Sequence, residues 1–144
     1  IVQMCKAVLG EFNPCTAKMM TNLGRTYQQM GKNSEAEQLL TRTLEVQTAM
    51  LGPDDDSVAS THNFLAVLYD DNMGQYQKAE EHYMNAIRIQ EKLFGPAHSQ
   101  LQFDYYGLIQ LFRKTGNDAK MREYEEKKNE WEKLQKEMSQ SMLG

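Results

Sequence analysis

A chain of 144 residues with 40% hydrophobic and 25% charged side chains has the make-up of a soluble globular protein, with room for one domain or a short stack of units. No apolar run approaches the roughly 18 residues of a membrane span, and 20 acidic against 16 basic side chains, −4 at neutral pH, argue against a nucleic-acid partner, whose phosphates need a clustered basic face. The two cysteines, Cys5 and Cys15, form no CxxC pair and follow no secretory leader, so the expected compartment is a reducing one, cytoplasm or nucleus.

Two series of glycines divide the chain. Gly10, Gly52 and Gly95 each follow an apolar residue and lie 42 and then 43 residues apart, while Gly31, Gly74 and Gly116 lie 43 and then 42 apart. The chain therefore repeats a unit of about 42 residues, with one extra residue in the middle copy. Tyr27 and Phe112 precede their glycines by four positions but Tyr69 precedes Gly74 by five, which places the extra residue within 70–73, DDNM. Each copy is expected to bury its apolar face only against its neighbours.

Residues 1–9 echo the end of the middle unit (IVQMCKAVLG against NAIRIQEKLFG), so they are expected to be the last turns of a preceding repeat helix and the chain a fragment of a longer protein. Without its partner this segment would expose Val2, Met4, Val8 and Leu9 and invite self-association. In unit 1, residues 10–51, Asn13 and Pro14 open a helix to about Met30. It carries Met20, Leu23, Gly24 and Tyr27 at helical spacing and ends on Gly31 as a left-handed cap. Asn33 or Ser34 then caps a second helix with the face Ala36, Leu39, Leu40, Leu44 and Val46, stopped by Gly52-Pro53.

In unit 2, residues 52–94, Asp54, Asp55 and Asp56 stand where they cap the next helix and complement its dipole. A DxD-like run also suggests metal, but the further oxygen ligands and closing Glu of an EF-hand loop are missing, so no metal site is expected. The first helix carries His62, Leu65, Ala66 and Tyr69, and the second Ala79, Tyr83, Ala86, Ile87 and Leu93. Residues 95–116 keep a first helix with Tyr105, Leu108, Ile109 and Phe112. Residues 117–144 depart, with Met121 in place of Ala36 and Ala79, Glu125 in place of Leu40 and Tyr83, and Lys128 in place of Ala86. Their apolar stripe, Met121, Tyr124, Trp131, Leu134 and Met138, is narrow, and Glu123/Lys127 and Glu132/Lys136 are helix-stabilising pairs. This is the pattern of a C-terminal capping helix with a polar outer face, over about 118–138. A coiled-coil strand is the alternative.

The recurring Leu65-Ala66, Tyr69, Gly74, Ala79, Tyr83 and Ala86, matched by Leu23-Gly24, Tyr27, Gly31, Ala36 and Leu40, resembles the tetratricopeptide repeat. The lengthened unit, LGPDDDSVA leading to NFLAVLY and then QKAEEHYMNAIRIQEKLFGPAH, is similar to the kinesin light chain subtype. The resemblance implies an all-α fold, a right-handed superhelix of antiparallel helix pairs (an α-α solenoid). Within the subtype, the expanded LYDDNMGQY, the following KLFG and the atypical LQFDYYGLIQLFRKTGN are similar to adaptors of one kind. That likeness implies proteins that associate with microtubules and membrane-protein tails and serve as substrate receptors of a cullin-2 ubiquitin ligase, in the cytoplasm, at the cytoskeleton or in the nucleus. A kinesin light chain-like cargo-binding domain and a purely structural spacer are the alternatives.

No catalytic constellation is legible. His62, His82 and His98 fall in three different contexts with no Ser, Cys or Asp at a motif that would make one a base, and the glycines sit at helix ends in place of a phosphate-cradling loop. His62 is expected in the core or groove, His82 and His98 in solvent. No cofactor is expected. In a solenoid of this kind the first helices line the concave face, which there presents Lys18, Thr21, Asn22 and Arg25, then Asn63, Val67 and Asp70, then Phe103, Tyr106, Gln110 and Arg113. Asn pairs with peptide backbone, aromatics give apolar pockets and Arg pairs with carboxylates, so this mixture suits an extended peptide, a C-terminal or cytoplasmic tail of a partner protein. The alternative is a merely solvated face. The carboxylate clamp of chaperone-binding repeats is not reproduced, since Phe64, Phe103 and Gly107 stand where its Asn, Lys and Arg would. Any ligase or microtubule contact is expected through regions outside this chain.

Overall fold

The computed structural model describes residues 14–143, which hold six α-helices and no strand. In order these are α1 (Pro14–Gln29), α2 (Asn33–Leu51), α3 (Asp56–Val67), which continues without a break into a π-helical turn (Leu68–Met73), α4 (Tyr76–Phe94), α5 (Leu101–Thr115) and α6 (Asp118–Leu143). The helices pack as pairs, α1 on α2, α3 on α4 and α5 on α6, and each second helix also packs on the first helix of the next pair. The architecture is a right-handed solenoid, as expected. The expected helix end over residues 1–9, with Val2, Met4, Val8 and Leu9, lies outside the described residues, as do Cys5 and Asn13.

The core runs along the seams rather than around one centre. Ala36 and Leu40 of α2, Leu65 and Tyr69, Ala79 and Tyr83 of α4, and Tyr105, Leu108 and Phe112 of α5 form one buried cluster with Tyr124 and Trp131 of α6. Small residues set the helix spacing. A Cβ on Gly24 would lie 2.7 Å from Leu40 Cγ, and one on Gly107 2.6 Å from Tyr83 Cζ, so both glycines admit a large side chain from the neighbouring helix.

The inserted residue of the middle unit is absorbed as the π-helical turn. A single extra residue in a helix costs least when one turn widens and the hydrogen-bonded ladder resumes beyond it. The widened turn carries Asn72 onto the α1–α2 connection. There its side-chain amide donates to Gln28 O and Asn33 Oδ1, both at 3.2 Å, while Asn33 Nδ2 donates to Asn72 O at 3.3 Å. This corrects the expected cap of α2. The cap position is held by Lys32, whose side chain has no acceptor to offer, and Asn33 stands one residue inside the helix with its amide engaged by unit 2. Of the three aspartates, Asp55 is the N-cap of α3, accepting from Ser57 N–H at 2.9 Å, whereas Asp54 turns away to Arg88 at 2.9 Å and Lys92 at 2.5 Å.

The last helix is a cap. Tyr124 and Trp131 are buried, Met121 and Leu134 half-buried and Met138 half-exposed, so the stripe is used against α5 and the α4–α5 connection rather than against a matching coiled-coil strand. Trp131 Nε1–H donates to His98 O at 2.9 Å, the Gln135 amide donates to Ala97 O, and Lys120 reaches Glu80 Oε1 at 2.8 Å. Leu93 corrects another expectation. It is 45% exposed, in the final turn where α4 gives way to that connection.

Candidate peptide-binding groove

The first helices α1, α3 and α5 place the expected ligand-facing residues in three shallow recesses instead of one cavity. Lys18, Thr21 and Asn22 share the first with Gln47, Leu51, Ser57, Ser60 and Thr61, where α1 and α2 meet α3. Arg25, Asn63 and Val67 line the second with Gln28, Gln29, Phe64 and Asn72. Tyr106, Gln110 and Arg113 line the third with Ile109, Glu125, Lys128 and Asn129, between α5 and the cap. Phe103 lines none of them but is the most exposed large apolar side chain among the described residues, at 64%, and Tyr106 one turn on is 56% exposed.

Cations and aromatics are interleaved along this face. The Arg25 guanidinium lies 4.9 Å from the centre of the Phe64 ring and the Lys128 ammonium 5.9 Å from that of Tyr106, an arrangement that orients both charges while leaving them able to meet an anion. Arg113 makes only a long 3.5 Å bond to Gln110 within its own helix.

Asp70 is a correction. Alpha-helical spacing puts it on the face of Asn63 and Val67, but the π-helical turn begins at Leu68 and rotates the residues after it. Its carboxylate is buried and paired with Lys114 Nζ of α5 at 2.9 Å, with Asp71 3.6 Å from the same ammonium. The hydrogen bond from Lys114 to Asp70 raises the lysine pKa. The carboxylate that does meet a groove residue is Asp104, whose Oδ1 accepts from the Asn63 amide. Burial pushes the Asp104 carboxyl up to about 7, against the smaller opposing effect of that bond. Asp104 was concealed by its place on the buried face of an otherwise apolar helix; the one signal in the chain is that it stands 43 residues after Thr61, at the same point of the repeat.

The histidines also differ from expectation. His82 and His98 are half-buried rather than solvated: His82 stacks on Tyr69 with centroids 5.6 Å apart, and His98 stacks on Phe94 at 4.4 Å. His62 Nδ1 and His82 Nδ1 are 2.9 Å apart, so one ring donates and the other accepts. Burial, and then the charge each would present to the other, holds the His62 pKa down at about 4, and burial lowers that of His82. Among the described residues no three His, Cys, Asp or Glu side chains converge to hold a metal, and no helix is long and apolar enough to cross a membrane.

Several known proteins share this repeat and this architecture. The tetratricopeptide repeat family model matches residues 1–49 and 35–92. Amyloid protein-binding protein 2 of Mus musculus and that of Rattus norvegicus are each 42% identical over 133 residues. The match takes in 92% of this chain and 23% of theirs, so the chain spans less than a quarter of the curated relatives it matches. Among solved structures, BtubC (BKLC) from P. vanneervenii superposes with a TM-score of 0.82 at 22% identity, over 96% of this chain and 54% of that one. The kinesin light chain TPR-like repeats of Podosopora anserina superpose with a TM-score of 0.76 at 25% identity, over 85% of this chain and 58% of that one.

Proposed function

The chain belongs to the tetratricopeptide repeat family and is a protein-interaction module resembling amyloid protein-binding protein 2, and on that premise we propose that its concave face binds an extended, carboxylate-bearing tail of a partner protein. The observation that carries this reading is a charge asymmetry on that face. Lys18, Arg25 and Arg113 are exposed, while Asp70 is buried against Lys114 and Asp104 is buried beneath Asn63, so across the three recesses Glu125, beside Arg113 and Lys128, is the one carboxylate among the lining residues. A chain of net charge −4 thereby offers a locally positive groove. Phe103 and Tyr106 supply apolar anchors, and Asn22 and Asn63 supply amide groups for the peptide backbone.

The parts that recruit other machinery lie in the remaining length of such a protein. In that setting the module serves as substrate receptor of a cullin-2 ubiquitin ligase and in microtubule-linked transport of membrane proteins in the cytoplasm. The name of the mouse and rat relatives makes the cytoplasmic tail of an amyloid protein the first ligand to try. Cargo binding of the kinesin light chain kind is the second reading, supported by the superposition on the Podosopora anserina repeats.

Tail peptides with free-acid and amidated ends, titrated against wild type and an Arg25→Ala/Arg113→Ala variant, test the groove. The free-acid peptide should bind wild type most tightly, and loss of the guanidinium contacts should weaken it by about tenfold or more. Equal affinity in all four combinations would remove the mechanism while leaving the fold untouched.

A further inference from the structure

The repeat register allows the two inter-unit seams to be compared position by position. At the first seam Gln47 of α2 meets Thr61 of α3, both buried, and the Thr61 hydroxyl donates to Gln47 Oε1 at 2.5 Å. At the second seam the same positions, 43 residues on, are Gln90 of α4 and Asp104 of α5, which are 3% and 1% exposed. Gln90 Oε1 and Asp104 Oδ2 are the two buried side-chain atoms without a hydrogen-bond partner among the described residues. Both are acceptors, and they stand where the first seam has an acceptor and a hydroxyl donor.

An ionised carboxylate cannot donate, so it would leave Gln90 Oε1 unsatisfied and place a bare charge in the seam, an arrangement strongly disfavoured at low dielectric. A carboxylic acid donates through one oxygen and still accepts through the other. We propose that Asp104 is a neutral carboxylic acid whose proton on Oδ2 is donated to Gln90 Oε1, reproducing the Thr61–Gln47 bond and making the seam between the second and third units proton-dependent. The same acid accepts from Asn63 through Oδ1, so one side chain ties α5 to both α3 and α4.

The surroundings favour the neutral form. Tyr83 of α4 is the titratable group opposite, and its phenol is pushed upward by burial and then by Asp70, Asp71 and Asp104 together. Tyr105 beside Asp104 on α5 is likewise raised, by burial first and then by its bond to Glu91. From the α6 side the neighbour of Tyr105 is Tyr124, also raised by burial. Asp70 and Asp71 are engaged by Lys114, and no cation is among the groups acting on Asp104, whose own pKa burial raises to about 7. A folded pKa above the unfolded 3.8 means that this contribution to stability is full at low pH and is lost as pH rises through about 7. Above that value a carboxylate with no counter-charge loosens the docking of α5 and its cap on α4, and with it the end of the groove that carries Phe103 and Tyr106.

Two measurements on the whole chain test this. In a carbon-13 carboxyl NMR titration of wild type, Asp104 should titrate near 7; a midpoint at or below the ordinary aspartate value would overturn the proposal. In urea unfolding, Asp104→Asn supplies a permanent amide donor, so its midpoint relative to wild type should rise from about pH 4 to about pH 7 and level off above that. Taking the difference removes the opposing titration of His62 and His82 in the unfolded chain. A difference that does not change with pH, or a variant weaker than wild type at about pH 8, would also overturn it, the latter by showing Gln90 turned to donate to an ionised Asp104. Asp104→Thr, which copies the first seam, should behave as Asp104→Asn does and serves in its place if the asparagine variant does not fold.

Discussion

His62 and His82 show how two side chains acquire a shared property that neither has alone. Their Nδ1 atoms are 2.9 Å apart, so one donates and the other must be unprotonated to accept, and burial favours the neutral form of both rings. A folded pKa near 4 for His62, against 6.5 for a free ring, means that the unfolded chain binds protons first as pH falls. The stability this pair contributes is therefore present above about 6.5 and drains away as pH drops toward 4. Replacing His62 with Gln keeps a donor and an acceptor without a titrating charge. The variant should show a flatter fall in urea midpoint over that acid range than wild type, and an unchanged acid limb would count against the pair as its source. Asp104 acts in the opposite direction over an overlapping range, from 3.8 to about 7, so the two contributions offset each other there and only single-site variants separate them.

Among the elements, α6 has the weakest apolar pattern and is held by a few contacts of large area. Trp131 is 8% exposed and its ring N–H reaches His98 O, so one side chain fixes both the angle of the helix and the connection that precedes α5. Trp131→Ala should cost about 3–5 kcal/mol in chemical unfolding, since it removes a buried indole and leaves a carbonyl without its donor. Beyond Gln135 the helix is solvated through Ser141, with Lys and Glu along its outer face. A loss of under about 1 kcal/mol on the Trp131 substitution would show that the cap is held by other contacts. The π-helical turn is the other element with a distinct role. It converts an inserted residue into a bridge, because Asn72 engages Gln28 and Asn33 of the preceding unit instead of merely lengthening a loop.

At the scale of the molecule, a solenoid is stabilised unit by unit through its seams, so a seam residue controls which part unfolds first. Tyr83 fills the space left by Gly107 at the seam between α4 and α5, and it is 4% exposed. Tyr83→Ala should cost about 3–5 kcal/mol, and hydrogen exchange should then show α5 and α6 losing protection before α1 and α2. Uniform loss across all six helices would mean that the array opens as one cooperative body. Much of this organisation is legible in the chain. The glycine periods give the pairing of helices, Tyr105, Leu108, Ile109 and Phe112 are buried as their helical spacing requires, and the extra residue lies in the segment that forms the π-helical turn. These features are local or periodic, set by backbone freedom at glycine, by helical spacing and by one-residue differences between copies, and such information is present in sequence order itself. What only the tertiary structure decided involves residues brought together from about 40 positions apart, where helix rotation and docking distance select the partner. Asp70 turned inward to Lys114 because a widened turn rotated it off the groove face. His82 left solvent because α4 docks it on Tyr69 and His62. Asp104 became a buried acid because the second seam carries a carboxyl where the first carries a hydroxyl, and the consequence of that one exchange depends on how closely α4 and α5 pack.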